Sequence, residues 1–300
     1  YKGGTNKKRY QVWIENKTDT FYFPGETKPS LINVDGDKVL LCRKIDNKTA
    51  DEFVQQYKYA GNYMDRKEAL EYFADNKSSN LSIGLNDKYH GLRLFTLQKI
   101  DEAKSYTVPA VLSVIEQIAD KDPDKLVQAK ALEILVELND KKYEPLFMKY
   151  VNDSSYSVSG AALDGLAKLD PDQAYNLAKK YSHNAAGKLG EVVARVIMKN
   201  PTEDDFDILL ENYKSPITSQ EEAMAKIRGT ATFADYLSKL KNDENVKKGV
   251  DEIMAFRNQI PPNYRSYVDP GFKKALNKIS DAKRSEGNTQ LADYIDGLLK

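Results

Sequence analysis

Between Val127 and Tyr181 the chain writes one pattern twice, and that repeat limits the folds open to it more than any other feature. Leu132, Leu135 and Leu138 in the first copy fall on Leu163, Leu166 and Leu169 in the second, a step of 31 positions. Spacings of three on a 3.6-residue helix keep each trio within about a third of a turn, so each forms one apolar stripe. A second helical run follows each stripe, Tyr143–Val151 and then Gln173–Tyr181. Two helix-turn-helix units therefore stand in succession.

The register extends both ways. Leu94, Leu97 and Ile100 precede Asp101 as Leu163, Leu166 and Leu169 precede Asp170. Val193 and Val196 precede Asn200-Pro201, with the third column lost to Lys199. Small residues just before the stripe (Ala129, Ala131, Gly160, Ala162) let neighbouring helices approach closely. A unit this short cannot bury its apolar face alone, so stacked copies must share a core. The predicted fold class is mainly α: a HEAT-like α-solenoid of antiparallel helix pairs, preceded by a small antiparallel β-sheet. Leu132, Leu135, Leu163 and Leu166 are predicted to be buried.

The sheet is read from residues 8–44. Tyr10, Val12 and Ile14 alternate with Gln11, Trp13 and Glu15, the period of a half-buried strand. Thr20–Phe23 reads as a second strand, stopped by Pro24-Gly25. Ser30–Val34 and Lys38–Lys44 flank Asp35-Gly36-Asp37 as a hairpin. Helices begin at Thr49, which forms a capping-box pattern with Glu52. Further starts are read at Asp65, at the Asp-Pro pairs Asp122-Pro123, Asp170-Pro171 and Asp269-Pro270, and at Thr218 with Glu221. Residues 258–268 read as the longest irregular stretch, before two last helices at about 270–285 and 289–299. The domain division is 1–48 for the β segment and 49–300 for the helical repeats.

Candidate chemistry is sparse. Only two histidines occur; His90 stands at a predicted helix start and His183 in a polar turn. Without His-Glu-x-x-His or a Cys-x-x-Cys pair, no zinc ligand set is legible. Cys42, the single cysteine, excludes an internal disulfide, and no base stands near it to activate a thiolate. Glu203-Asp204-Asp205 with Asp207 could hold a hard cation, but acidic residues in a first helical turn are explained by the helix dipole. Gly187-Lys188 lacks the earlier glycine of a phosphate loop. Asn47-Lys48-Thr49 is a chance glycosylation triplet. No catalytic, cofactor-binding or metal-ligating residue is assigned.

Lys+Arg and Asp+Glu both number 45, and the zero net charge argues against a nucleic-acid partner. At 41% hydrophobic residues a core is affordable, yet no run approaches the roughly 18 apolar residues of a membrane span. No signal-peptide pattern opens the chain, and its compartment stays open between exported or periplasmic and cytoplasmic. It starts at Tyr1 without Met, as expected of a processed protein or a piece of a longer one.

Lys28–Leu41, read as strand, hairpin and strand, runs into Asp51–Tyr57, then Tyr63–Leu70 and the helical repeats. This order resembles the C-terminal portion of a bacterial zinc metallopeptidase of the aminopeptidase N family, the gluzincins. The resemblance implies that residues 1–46 end a β-sandwich and 49–300 form a helical domain that closes over the active site and limits peptide access. It further implies an upstream catalytic domain of the same polypeptide as partner, peptides as substrates, and zinc in the full-length enzyme but none in this stretch. The family's zinc and Gly-x-Met-Glu-Asn motifs have no counterpart here, so no site residue carries over. The alternative is a free-standing HEAT-like protein-interaction scaffold.

Overall fold

A computed structural model of the chain describes residues 7–25, 27–41, 44–182 and 185–298. Among them every regular element is helical. The chain divides into two compact units, Tyr1–Glu137 and Leu138–Lys300.

In the first unit the helices are α1 (Ala50–Tyr59), α2 (Tyr63–Asp75), α3 (His90–Glu102), α4 (Pro109–Lys121) and α5 (Lys125–Leu138), whose last residue crosses the boundary. A 3₁₀ segment, Ser79–Asn86, joins α2 to α3 and packs on both. The expected start of α1 is present: Glu52 N–H donates to Thr49 Oγ1 at 3.3 Å, and Thr49 N–H donates to Glu52 Oε2 at 2.8 Å. Leu70, Phe73, Leu92, Leu97, Leu132 and Leu135 are buried. Leu94 and Leu138 are only half-buried, which places them at the margins of their stripes.

The second unit contains α6 (Glu144–Tyr150), α7 (Tyr156–Leu169), α8 (Pro171–Tyr181), α9 (Gly187–Ile197), α10 (Phe206–Lys214), α11 (Gln220–Leu237), α12 (Asp243–Gln259), α13 (Pro262–Ser285) and α14 (Thr289–Gly297). Helix α7 is the hub, packing on α6, α8 and α9. Leu163 and Leu166 are fully buried on it. Asp170 turns the chain from α7 into α8: it ends one helix and caps the next, accepting from Gln173 N–H at 3.1 Å, with Pro171 at the first helical position. These contacts make the repeat HEAT-like, as the leucine columns predict.

Gly160 explains how α9 comes so close to α7. A Cβ at this position would stand 2.8 Å from both Leu189 N and Lys188 C, backbone atoms that cannot swing aside. Gly160→Ala should therefore cost about 1–3 kcal/mol of overpacking. Gly229→Ala in α11, where a Cβ meets nothing within 4 Å, should instead gain about 0.5–1 kcal/mol of helix propensity. Urea denaturation of the two variants should move in opposite directions.

Four helix starts fall elsewhere than predicted, the first being α2, which begins at Tyr63, two residues before Asp65. Helix α5 begins at Lys125, with Asp124 Oδ1 accepting from Leu126 N–H and Val127 N–H at 3.0 and 3.1 Å. Helix α11 is capped one residue late, by Ser219, whose hydroxyl accepts from Glu222 N–H at 3.1 Å. Helix α13 starts at Pro262 and carries Pro270 within it, so much of the stretch read as irregular is helical. Arg265 ties that early start to the end of α12, donating to the Asn258 and Ile260 carbonyls at 2.8 Å each. Arg257 meanwhile holds both oxygens of Asp269, at 2.8 and 2.6 Å.

The predicted β-sheet does not form: the described residues before Ala50 contain no strand. Alternation assigns side chains to faces, but a strand also needs a backbone partner, and none is supplied. The turn at Asp35 does form, with Lys38 N–H donating to the Asp35 carbonyl at 2.9 Å. Its positive φ angles fall on Asp35 and Lys38, and Asn33 and Lys38 bond to Asp65 of α2 instead of joining a ladder.

Candidate interaction surface

The described residues of the N-terminal arm (7–25, 27–41 and 44–48, within the first unit) leave many apolar side chains uncovered. More than half of the large apolar side chains exposed among the described residues lie on it, including Trp13 at 73% and Tyr22 at 91% exposure. A concentration of exposed apolar side chains of this kind marks a docking surface or an aggregation hazard.

Two regions of the arm are ordered by contacts. Leu31 is buried. On either side of it in space, Asn33 Nδ2 donates to Asp65 Oδ1 at 3.1 Å and Lys38 Nζ lies 2.6 Å from the same oxygen. The Asp65 side chain is fully buried and its Oδ2 has no partner. Asn62 Nδ2 adds a bond to the Gly36 carbonyl at 2.7 Å, and Lys44 pairs with Glu68 at 2.9 Å. Asn33, Gly36, Lys38 and Lys44 are thus pinned to α2 and its N-cap. Farther out, Asp19 gathers the amides of Glu15 and Asn16 at 2.8 and 3.0 Å, and the Asn16 side-chain amide at 2.8 Å. Those bonds, the Asn16 side chain first, hold the Asp19 carboxyl below its ordinary value. The turn brings the Tyr10 and Phe23 rings to 4.5 Å. Residues 10–23 thus take a hairpin-like course without a backbone ladder.

A second feature is a polar network where α2, the 3₁₀ segment and α3 meet. Arg66 Nε donates to Asp87 Oδ2 at 2.8 Å and its Nη2 to Oδ1 at 3.3 Å, while Tyr57 donates its hydroxyl to Asp87 Oδ2 at 2.8 Å. Arg66 and Asp87 are buried. Burial, reinforced by the bond to Asp87, pushes the Tyr57 phenol well up. Asp87 also accepts Tyr89 N–H at 2.8 Å. Asp122 and Asp153 repeat that bond, accepting Asp124 N–H and Ser155 N–H at 2.9 Å each. Six residues after each Asp a polar side chain turns back onto the chain: Arg93 to the Asp87 carbonyl, Gln128 to Ala119 and Ser159 to Val151, at 2.8, 3.0 and 2.6 Å. Arg93 also grips both oxygens of Asp122 at 2.7 Å.

The residues singled out in the sequence do not converge. Cys42 and His183 lie outside the described residues. His90 Nδ1 stands 3.1 Å from Asp124 Oδ2 on the surface. Glu203 Oε1 accepts Lys241 and Asn242 N–H, at 2.9 and 2.5 Å, at the start of α12. Asp205 forms a capping box with Thr202, Oδ2 accepting its N–H and hydroxyl at 2.7 Å, and Lys179 sits on Oδ1. Gly187 and Lys188 open α9, and Thr49 caps α1. Among the described residues no group of three or more His, Cys, Asp or Glu could hold a metal ion. None of the described helices is long and apolar enough to cross a membrane. A groove of about 620 Å³ is lined entirely from α13, by Pro270, Lys273, Lys274, Asn277, Lys278 and Asp281, and is a furrow on one helix.

A family model described as HEAT repeats matches residues 112–189. No curated protein matches the chain. Among solved structures, the chain is similar to one in the complex of CpcE and CpcF of phycocyanin lyase from Nostoc sp. PCC7120, at 12% identity and a TM-score of 0.45, covering 82% of this chain and 98% of that one. The family match is to HEAT repeats and not to a zinc aminopeptidase, and the reading as the C-terminal domain of a metallopeptidase, with its catalytic-domain partner, is overturned. That resemblance rested on a sandwich tail followed by helices. The helices are present, but the strands that made the order distinctive are not.

Proposed function

We propose that the chain is a HEAT-like protein-interaction scaffold whose N-terminal arm engages the partner. The division at residues 48 and 49 is, on this reading, one between a docking arm and a helical body. One observation carries it: apolar side chains from Tyr10 to Phe23 and from Ile32 to Leu41 are exposed and in no strand pairing, while the same stretch is anchored through the buried Leu31 and through Asp65. A merely unfolded tail would have no such anchor. An arm fixed at one end and open along its backbone suits strand addition to another protein.

The test places a photo-crosslinking amino acid at Trp13, at Tyr22, or at Tyr267 on α13, each exposed, in the full chain in its native cells. Discrete adducts, identified by peptide sequencing, are expected from Trp13 and Tyr22 and not from Tyr267. Adducts from Tyr267 alone, or from none of the three, would remove the arm from the interface.

A further inference from the structure

We propose that the arm's partner is a second copy of this chain, joined antiparallel through residues 8–16 about a twofold axis at Val12. This rests on the interaction reading above and makes it specific. Three observations converge on it.

The first is an incomplete hairpin. The Asp19 turn sets Tyr10 against Phe23, and in that register strand alternation would bring Val12, Ile14 and Phe21 onto the same face. Two strands alone are marginal in water, and three or more with an apolar face are needed for stability. Two hairpins side by side make four.

The second is which edge is open. The segment Thr20–Phe23 is followed by Pro24, which lacks an amide to donate and blunts that edge. The outer edge at residues 8–16 carries no proline.

The third is self-complementarity. When Val12 faces its own copy, Tyr10 faces Ile14, Gln11 faces Trp13, and Arg9 faces Glu15, twice over by symmetry. Shifting the pairing by one residue exchanges the two faces and loses every one of these pairs. Arg9 is now paired with Asp37, but both side chains are largely exposed, so the exchange replaces one solvated partner with another.

The experiment is sedimentation equilibrium of the full chain. The wild type should dimerise with concentration. Arg9→Glu and Glu15→Arg should each raise Kd by about tenfold, since each sets like charges opposite at two symmetric places. The double variant R9E/E15R should restore Kd to within about threefold of wild type. A Val12→Cys, Cys42→Ser chain should oxidise to a covalent dimer because cross-strand Cβ atoms at the axis lie within disulfide reach. Thr20→Cys in the same background should not. A chain monomeric to about 1 mM would overturn the proposal. So would a dimer indifferent to Arg9→Glu, or a double variant no better than the singles. If such a monomer still cross-links through Trp13 to a different protein, self-pairing is wrong while the arm remains an interaction surface.

Discussion

Asp87→Ala is expected to destabilise the first unit by about 3–5 kcal/mol, because it leaves a buried guanidinium without its carboxylate. Arg66 would keep the Gly61 carbonyl, 2.7 Å from Nη1, but lose both bonds to Asp87. The Tyr57 hydroxyl would keep only a longer contact, 3.3 Å, to the Ile83 carbonyl. The first turn of α3 would lose the acceptor for Tyr89 N–H. A double-mutant cycle separates the ion pair from these extra losses: Asp87→Ala with Arg66→Ala should cost clearly less than the sum of the singles. Additive costs measured by urea denaturation would mean that the pair is not coupled.

Leu166→Ala should cost the second unit about 2–5 kcal/mol. Leu166 is fully buried on α7, the helix that contacts α6, α8 and α9. The lost side chain leaves a void whose walls belong to packed helices, so relaxation can close it only in part. Leu126→Ala supplies the control: Leu126 is 56% exposed on α5, and its truncation should change stability by no more than about 0.5 kcal/mol. An unchanged urea midpoint for Leu166→Ala would contradict the assignment of the leucine stripe to the core.

The stripe was legible because burial imposes a period on one helix and a constant step between helices. Leu132, Leu135, Leu163 and Leu166 carry both signals, and all four are buried. The polar ladder was not read, although Asp122 and Asp153 keep the same step as the leucines. An Asp beside a helix reads equally well as an N-cap, and only its partner Arg93, 29 residues before Asp122, distinguishes the roles. The acidic run at 203–205 was legible as helix-start chemistry, but its targets at Lys241 and Asn242 were not, because they lie far along the chain. The arm failed as a predicted sheet for a related reason. Alternation at Tyr10, Val12 and Ile14 is local, whereas strand pairing is a relation between separate backbones, and among the described residues no backbone ladder forms with them.

Hydrogen exchange across the whole chain, at a dilution where sedimentation finds only monomer, tests that account most directly. Backbone amides of residues 9–14 and 20–23 should exchange at nearly the rate of an unfolded peptide, while those of α7 around Leu163 and Leu166 stay protected. Raising the partner's concentration should slow exchange in the arm and leave α7 unchanged. If the arm of the strict monomer is already as protected as α7, its backbone is satisfied within the chain and it is not an open docking strand.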